Sequence, residues 1–301
     1  MNASIHRRHG ALEDELVAAV HDLAKAVQNA DGVEPLGEQT TLDVGSDGAD
    51  HVLVADGSLD AYGQLGPEHS GTRTAELVVA PGSRGAGLGG RVLAALLDIA
   101  QAQDAPVRVW AHGTLAPAAA LARRAGLTAV RELWRMTVDL DPGAEAPDSS
   151  PGWAAAGLPP GVRLRPFRTG DEDALLAVNG AAFARHPEQG GMTRADLDAR
   201  RAEPWFHATD LALAVRRHEV LGFAWTKVTP PLGELYVLGV APAAQGRGLG
   251  RALTAAAVQH LRHRGCTRAV LFTEADNTPA VRTYRAAGFT VDRSDTQFAP
   301  Q

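Results

Sequence analysis

Arg84-Gly85-Ala86-Gly87-Leu88-Gly89 recurs 161 residues later as Gln245-Gly246-Arg247-Gly248-Leu249-Gly250. Each copy follows a short apolar run, Leu77-Val78-Val79 in the first case and Val237-Leu238-Gly239-Val240 in the second, and each precedes a helical apolar pattern. A strand that feeds a glycine-rich turn opening a helix points several unpaired backbone N–H groups the same way and so makes an anion site. Two such sites in the same local context imply two copies of one domain.

The 301-residue length suits two medium domains, and the apolar fraction of 45% is enough for ordinary cores. The net charge of −6 argues against a nucleic-acid footprint, and no basic stripe interleaved with aromatics is present. One cysteine, Cys266, excludes an intrachain disulfide framework and suits a reducing compartment. No long uninterrupted apolar run or signal-peptide core stands out. These features lead us to expect a cytoplasmic monomer with no membrane, nucleic-acid or metal partner.

Outward from the turns, Leu12, Leu16, Val20, Leu23 and Val27 have helical spacing, and apolar runs at 51–55, 61–65, 76–79 and 107–111 read as strands. The pattern collapses between Asp141 and Gly161 into Asp-Pro-Gly, Ser-Pro-Gly and Pro-Pro-Gly segments, which are turn and linker chemistry. The order then repeats. Strands are expected at 162–167, 211–215, 220–228, 233–240 and 269–274, with helices at 171–183, 248–264 and 278–286. The expected fold class is α/β with a mixed sheet, organised as domain 1–141, linker 142–161 and domain 162–301.

Neither glycine turn is a nucleotide-triphosphate loop, because the Gly-Lys-Ser/Thr ending is missing, and neither has the early glycines of a dinucleotide fingerprint. The pattern Gln/Arg-x-x-Gly-x-Gly after a strand instead resembles the coenzyme A signature of the GNAT superfamily of N-acetyltransferases, in both halves. In such a cradle, which Gln245 opens, glycines let a pyrophosphate approach the backbone, and the N–H groups of Gly246, Arg247, Gly248, Leu249, Gly250 and Arg251 bind it with help from the helix dipole. The co-substrate implied is acetyl-CoA. The resemblance also brings Asn277, Thr278, Pro279, Ala280, Val281 and Arg282 to the coenzyme.

Within that superfamily the chain resembles the mycothiol synthases over nearly its whole length. The likeness rests on Gly37-Glu38-Gln39, the block from Trp110 to Leu115, the block from Ala181 to Gly191, Trp225-Thr226-Lys227-Val228, the block from Leu235 to Val240 and the block from Ala280 to Tyr284. It implies a tandem acetyltransferase that transfers acetyl from acetyl-CoA to the cysteinyl amine of cysteinyl-glucosaminyl-inositol. It also implies acceptor contacts from Glu38, Glu188, Lys227 and Glu234 in a pocket between the domains. Phe272 stands where the family usually carries a tyrosine, which removes one hydroxyl contact to the acceptor.

Acetyl transfer to an amine needs a base for the ammonium and an acid for the departing thiolate. A carboxylate and a tyrosine hydroxyl are suited to these roles. Aligned on the glycine turns, Val79 matches Val240, Leu77 matches Leu238 and Arg73 matches Glu234. Near the chain end the register slips by one, so that Ala122 matches Tyr284. Glu234 and Tyr284 are therefore the candidate catalytic pair. The earlier half is expected to lack catalysis while keeping a coenzyme A cradle at Leu77, Val78, Val79 and Arg84 to Gly89. The Val240 N–H is expected to polarise the thioester carbonyl, with Gly239 allowing an irregular strand there.

Other signals carry less. His260 and His263 lie three apart on a helix, but without a third ligand they read as a solvated face. Cys266 reads as a small core hydrophobe. Trp110 and Trp225 read as core, and His112 and His186 have no independent mechanism. The rival readings are a tandem acetyltransferase for another small-molecule or peptide amine, and a non-catalytic acyl-CoA sensor.

Overall fold

The computed structural model describes residues 4–69, 71–140, 153, 157–184 and 189–301. The chain forms two compact units, one of residues 1–132 with 294–301 and one of residues 133–293. The sequence reading divides the chain at 141 and 162; the compact units divide it at 132/133 and at 293/294. Most of the expected linker, 142–152 and 154–156, lies outside the described residues.

The first unit contains β1 (Ile5–His9), α1 (Asp14–Asp31), α2 (Glu38–Asp43), β2 (Asp50–Asp56), β3 (Ser58–His69), β4 (Thr72–Val79), α3 (Leu88–Ala102), β5 (Val107–Ala111), α4 (Ala116–Arg124) and the start of β6 (Thr128–Asp139). β1 to β4 pair antiparallel in sequence order, and β4 pairs parallel with β5. The sheet is apolar on both faces. Leu53, Tyr62 and Val78 pack with Val20, Leu23 and Val27 of α1, while Val52, Ala61 and Ala75 pack with Val92, Leu93 and Leu96 of α3. Alternation along the strands sends these sets to opposite sides.

The second unit contains the rest of β6, β7 (Val162–Pro166), α5 (Glu172–Ala182), α6 (Arg194–Ala202), β8 (Leu211–Arg216), β9 (Glu219–Thr229), β10 (Leu232–Val240), α7 (Leu249–His263), β11 (Arg268–Glu274), α8 (Thr278–Ala286) and the start of β12 (Thr290–Ala299). Here β7 to β10 pair antiparallel, β10 pairs parallel with β11, and β11 pairs antiparallel with β6. α7 shows why its residues form a helix. Leu249, Leu253, Ala256, Ala257 and Leu261 recur at helical spacing and are all buried, and Gly248 at φ 82° starts the first turn. Each fully buried leucine on that stripe contributes about 2 kcal/mol of apolar burial.

The expected mixed α/β architecture is therefore present in each unit. Four elements had no clear signal. β1 is an exposed polar edge strand, α2 has six residues, α6 buries only Leu197, and β12 is mostly polar. β12 has a further peculiarity. Its residues from Ser294 onward belong to the first unit, where Thr296–Phe298 pair antiparallel with Val109–Ala111 of β5.

Candidate active site

Parallel pairing between β10 and β11 covers only Leu232–Glu234, opposite Arg268–Val270. β10 then runs on to Val240 along β9 alone among the described residues. The Ala241 N–H donates to the Leu221 carbonyl of β9 at 2.9 Å. Alternation turns the Val240 and Leu238 N–H groups the other way, toward the side that β11 has left. The result is a short row of backbone donors along an open strand edge, at the end of which lies the glycine turn.

In that turn Gly246 and Gly248 have φ of 72° and 82°. Nothing lies within 4 Å of a Cβ built on either, so glycine is required there by conformation rather than by space. Gly248 caps α7, whose first intrahelical bond runs from the Ala252 N–H to the Gly248 carbonyl. The N–H groups of Leu249, Gly250 and Arg251 thus have no partner within the helix, an arrangement that suits an anionic ligand. Gln245 secures the approach by donating from Nε2 to the Val240 carbonyl at 3.0 Å. This geometry fits the pyrophosphate of a coenzyme.

Gly239 does not mark an irregular strand. It pairs in register with Phe223, and a Cβ there would come 2.6 Å from the Phe223 ring. The irregularity lies earlier, between Leu235 and Val237, where Tyr236 is the extra residue of a bulge on β10.

On the far side of that bulge, Glu234 stands directly opposite Lys227 of β9, and both are half-buried. The Lys227 ammonium lies 4.6 Å from the ring centroid of Trp205, and Trp205 meets the Tyr236 ring edge-on at 5.2 Å. Arg200 of α6 fixes Tyr236 by donating from Nε to its hydroxyl at 2.8 Å. The sequence reading passes over Trp205 and meets Tyr236 only inside the Leu235–Val240 block, without a role of its own. A tryptophan within Glu203-Pro204-Trp205-Phe206 offers no period to read.

Tyr284 sits on α8, packed against the core of the second unit and edge-on to Phe289 at 6.2 Å. Burial pushes its hydroxyl up to about 12, so the phenol stays protonated at neutral pH. At the start of the same helix, Asn277 accepts from the Ala280 N–H through its side-chain oxygen. This orients the stretch from Asn277 to Arg282, which is exposed at Asn277, Thr278, Pro279 and Arg282 and buried at Val281, with Pro279 in the first turn. Phe272 on β11 is 38% exposed, with the Arg293 guanidinium 5.7 Å from its ring centroid.

The first unit repeats the cradle. β4 pairs with β5 only at Arg73–Ala75, the Ala80 N–H donates to the Asp60 carbonyl of β3, and Val79 and Leu77 turn their N–H groups to the opened side. Gly85 and Gly87 have φ of 80° and 79°. Arg84, in the place of Gln245, makes a two-pronged ion pair with Asp31 at 2.8 Å and donates to the Val79 carbonyl.

The match of Arg73 to Glu234 is corrected by the bulge. Leu65 pairs with Ala75 as Thr226 pairs with Leu235, because β10 carries the extra residue Tyr236 and β4 does not. The residue in the place of Glu234 is therefore Thr74, paired with Arg108 as Glu234 is paired with Val270. Arg73 instead lies in the place of Gly233. It is buried and donates to Asp50 at 2.7 Å and to the carbonyls of Gly66 and Leu65. Thr74 offers no base, and Ala122 of α4 holds the place of Tyr284 and offers no acid.

Glu38 begins α2, half-buried, directly after Gly37. The other expected acceptor contact, Glu188, lies outside the described residues, as does His186. His260 is not on a solvated face. It is buried, 2.7 Å from Asp210, and stacked on Trp153 at 4.4 Å, while His263 is exposed. Cys266 is buried among Leu261 and its neighbours, which pushes its thiol up and leaves it unreactive. Trp225 is buried in the core of the second unit, whereas Trp110 is half-buried and stacked beside His112.

Comparison with known proteins gives the family and the fold. The model of the acetyltransferase (GNAT) family matches residues 182–289. The mycothiol acetyltransferase of Sanguibacter keddieii is 48% identical over 93% of this chain and 92% of its own length. That of Nocardia farcinica is 45% identical over 96% and 95%. Among solved structures, a GCN5-related N-acetyltransferase from Sphaerobacter thermophilus is similar over 98% of this chain and 94% of its own, with TM-score 0.69 at 25% identity. A tandem GNAT protein from the clavulanic acid biosynthesis pathway covers 98% of both chains with TM-score 0.73 at 18% identity.

Proposed function

The chain belongs to the mycothiol acetyltransferases, and from that premise we propose how it works: the later unit moves acetyl from acetyl-CoA to the cysteinyl amine of cysteinyl-glucosaminyl-inositol, and the earlier unit holds a coenzyme without catalysing transfer. The function rests on identity of 43–48% over most of the chain with proteins of that name. What supports the assignment to the later unit is one contrast. A carboxylate and a protonated phenol accompany the cradle at Gly246–Gly250, whereas Thr74 and Ala122 hold the equivalent places near Gly85–Gly89.

In this reading the turn at Gln245–Arg251 and the start of α7 bind the pyrophosphate. Leu238 and Val240 N–H groups receive the pantetheine arm and the thioester carbonyl, whose oxygen gains charge as the amine adds. Glu234 takes the proton that the cysteinyl ammonium must lose before attack. The nitrogen then forms its bond to the carbonyl carbon, and the carbon–sulfur bond breaks. Tyr284 gives its hydroxyl proton to the departing thiolate and is replenished by the proton that nitrogen sheds on becoming an amide. Glu38, Glu188 and Lys227 bind the hydroxyl-rich acceptor.

The test is acetyl acceptance across a panel of amines, read by mass. Selective addition to the nitrogen of the cysteinyl acceptor is expected. Comparable turnover of unrelated amines would replace this acceptor with a broader one, and binding of acetyl-CoA without turnover of any amine would make the chain a sensor.

A further inference from the structure

The reaction as described uses no residue of the Trp-Ala-His-Gly-Thr-Leu block, yet His112 within it is the centre of a buried charged cluster. Its Nε2 lies 3.1 Å from Glu76 Oε1, and its Nδ1 lies 3.5 Å from Asp295 Oδ2. Both carboxylates are almost fully buried, with side chains 4% and 3% exposed. Burial alone would push the imidazole down, but the charge of Glu76 and hydrogen bonds to Asp295 and Glu76 raise it to about 10, so it is an imidazolium at neutral pH.

The cluster reaches outward through Glu76. Its second oxygen, Oε2, accepts from the Gly37 N–H at 2.6 Å. Gly37 is the residue before Glu38 and the cap of α2. A Cβ at position 37 would come 3.0 Å from Glu76 Oε1, so only glycine sits that close without displacing the carboxylate. On the opposite side, Asp295 accepts from the Gly113 N–H at 2.6 Å, and Thr114 donates to the Ser294 carbonyl at 2.9 Å. The chain therefore passes from the C-terminal strand through Asp295, His112 and Glu76 to the backbone beside Glu38.

We propose that His112 is a positioning residue for the acceptor: by holding Glu76 in place it fixes the Gly37 N–H and hence the Glu38 carboxylate. The inference rests on Glu38 being an acceptor contact. A short α2 with no side-chain cap cannot set its own first residue. An anchored N–H immediately before Glu38 restricts the backbone that carries it, and a charge-assisted network gives that anchor its stiffness. Through Glu76 and the Gly37 N–H, the cluster holds a binding group in its productive geometry.

The test uses steady-state kinetics of the full chain with acetyl-CoA and the cysteinyl acceptor. His112→Ala is expected to raise the acceptor KM about tenfold, with kcat and the acetyl-CoA KM little changed, as for loss of binding alone. Gly37→Ala, which leaves the ion cluster's own residues intact, is expected to do the same. His112→Gln, which keeps hydrogen bonding without charge, should lie between and serves if the alanine variant fails to fold. The double variant Glu38→Ala with His112→Ala should show no more than the KM of Glu38→Ala alone, because residues that act through one another are not additive. Unchanged acceptor KM in His112→Gln and Gly37→Ala, or a multiplicative double variant, would overturn the positioning role. If Glu38→Ala itself leaves the acceptor KM unchanged, the Glu38 assignment fails first and the inference falls with it.

Discussion

Glu234 and Lys227 are direct cross-strand partners, opposed on β10 and β9 just before the bulge at Tyr236. A carboxylate and a cation on one face of a sheet suit the proposed roles of base and acceptor-binding group. Lys227, steadied over the Trp205 ring, is expected to bind rather than to react. Lys227→Met should raise the acceptor KM about tenfold while kcat changes little, in line with loss of one charged hydrogen bond. A fall in kcat at unchanged KM would move Lys227 into the chemical step.

Tyr284→Phe should lower kcat about 10- to 100-fold through loss of general-acid assistance. The pH dependence is specific. Burial raises the hydroxyl to about 12, so the acid form persists through the alkaline range. The ratio of wild-type to Tyr284→Phe turnover is therefore expected to stay level from about pH 7 to about pH 10, the region where an ordinary phenol ionises. A ratio that shrinks toward one by pH 10 would contradict the buried acid.

The His112 cluster should leave a mark on stability. Its folded value of about 10 lies above the ordinary 6.5. The stabilisation is fully present below about pH 6.5 and is lost as pH rises through about 10. His112→Gln should accordingly lower the melting temperature most near pH 6, with the gap from wild type closing above pH 10. The groups facing the ring are Glu76 and Asp295, so Asp295→Asn should reduce the same gap. Thermal melts from pH 6 to pH 10.5 check both; a gap that does not vary with pH would contradict the charged state.

The two cradles should separate under one kind of substitution. Alanine at Gly248 or Gly87 must adopt a left-handed backbone at a cost of about 1–2 kcal/mol. Gly248→Ala is expected to raise the acetyl-CoA KM several-fold, and Gly87→Ala to leave turnover within about twofold of wild type. Loss of turnover in Gly87→Ala would give the earlier cradle a part in the reaction.

Phe272→Tyr supplies the hydroxyl that the family resemblance leads us to expect at this position. It should lower the acceptor KM about two- to fivefold, the worth of one ordinary hydrogen bond. An unchanged KM, measured by acceptor titration at saturating acetyl-CoA, would remove position 272 from the acceptor site.

Much of this organisation is legible in the residues because each copy of the cradle is local. Leu77–Gly89 and Val237–Gly250 contain strand, turn and helix start within one short stretch. What escapes is whatever depends on partners distant in sequence. The bulge at Tyr236 leaves no gap in a pairwise alignment, so Arg73 appears to match Glu234 until strand register shows Thr74 there. Ser294–Gln301 join the first unit through pairing with β5, which no periodicity in a polar strand foretells. His260 reads as solvent-facing because Asp210 and Trp153, which bury it, are 50 and 107 residues away in the chain. His112 gains a role only when Asp295 is folded against it.

The most direct measurement is single-turnover acetylation of cysteinyl-glucosaminyl-inositol by Glu234→Gln with acetyl-CoA prebound. Removal of the base should slow nitrogen acetylation about 10²- to 10⁴-fold, with acetyl-CoA affinity retained. A wild-type rate in that variant would contradict the placement of the reaction in the later unit.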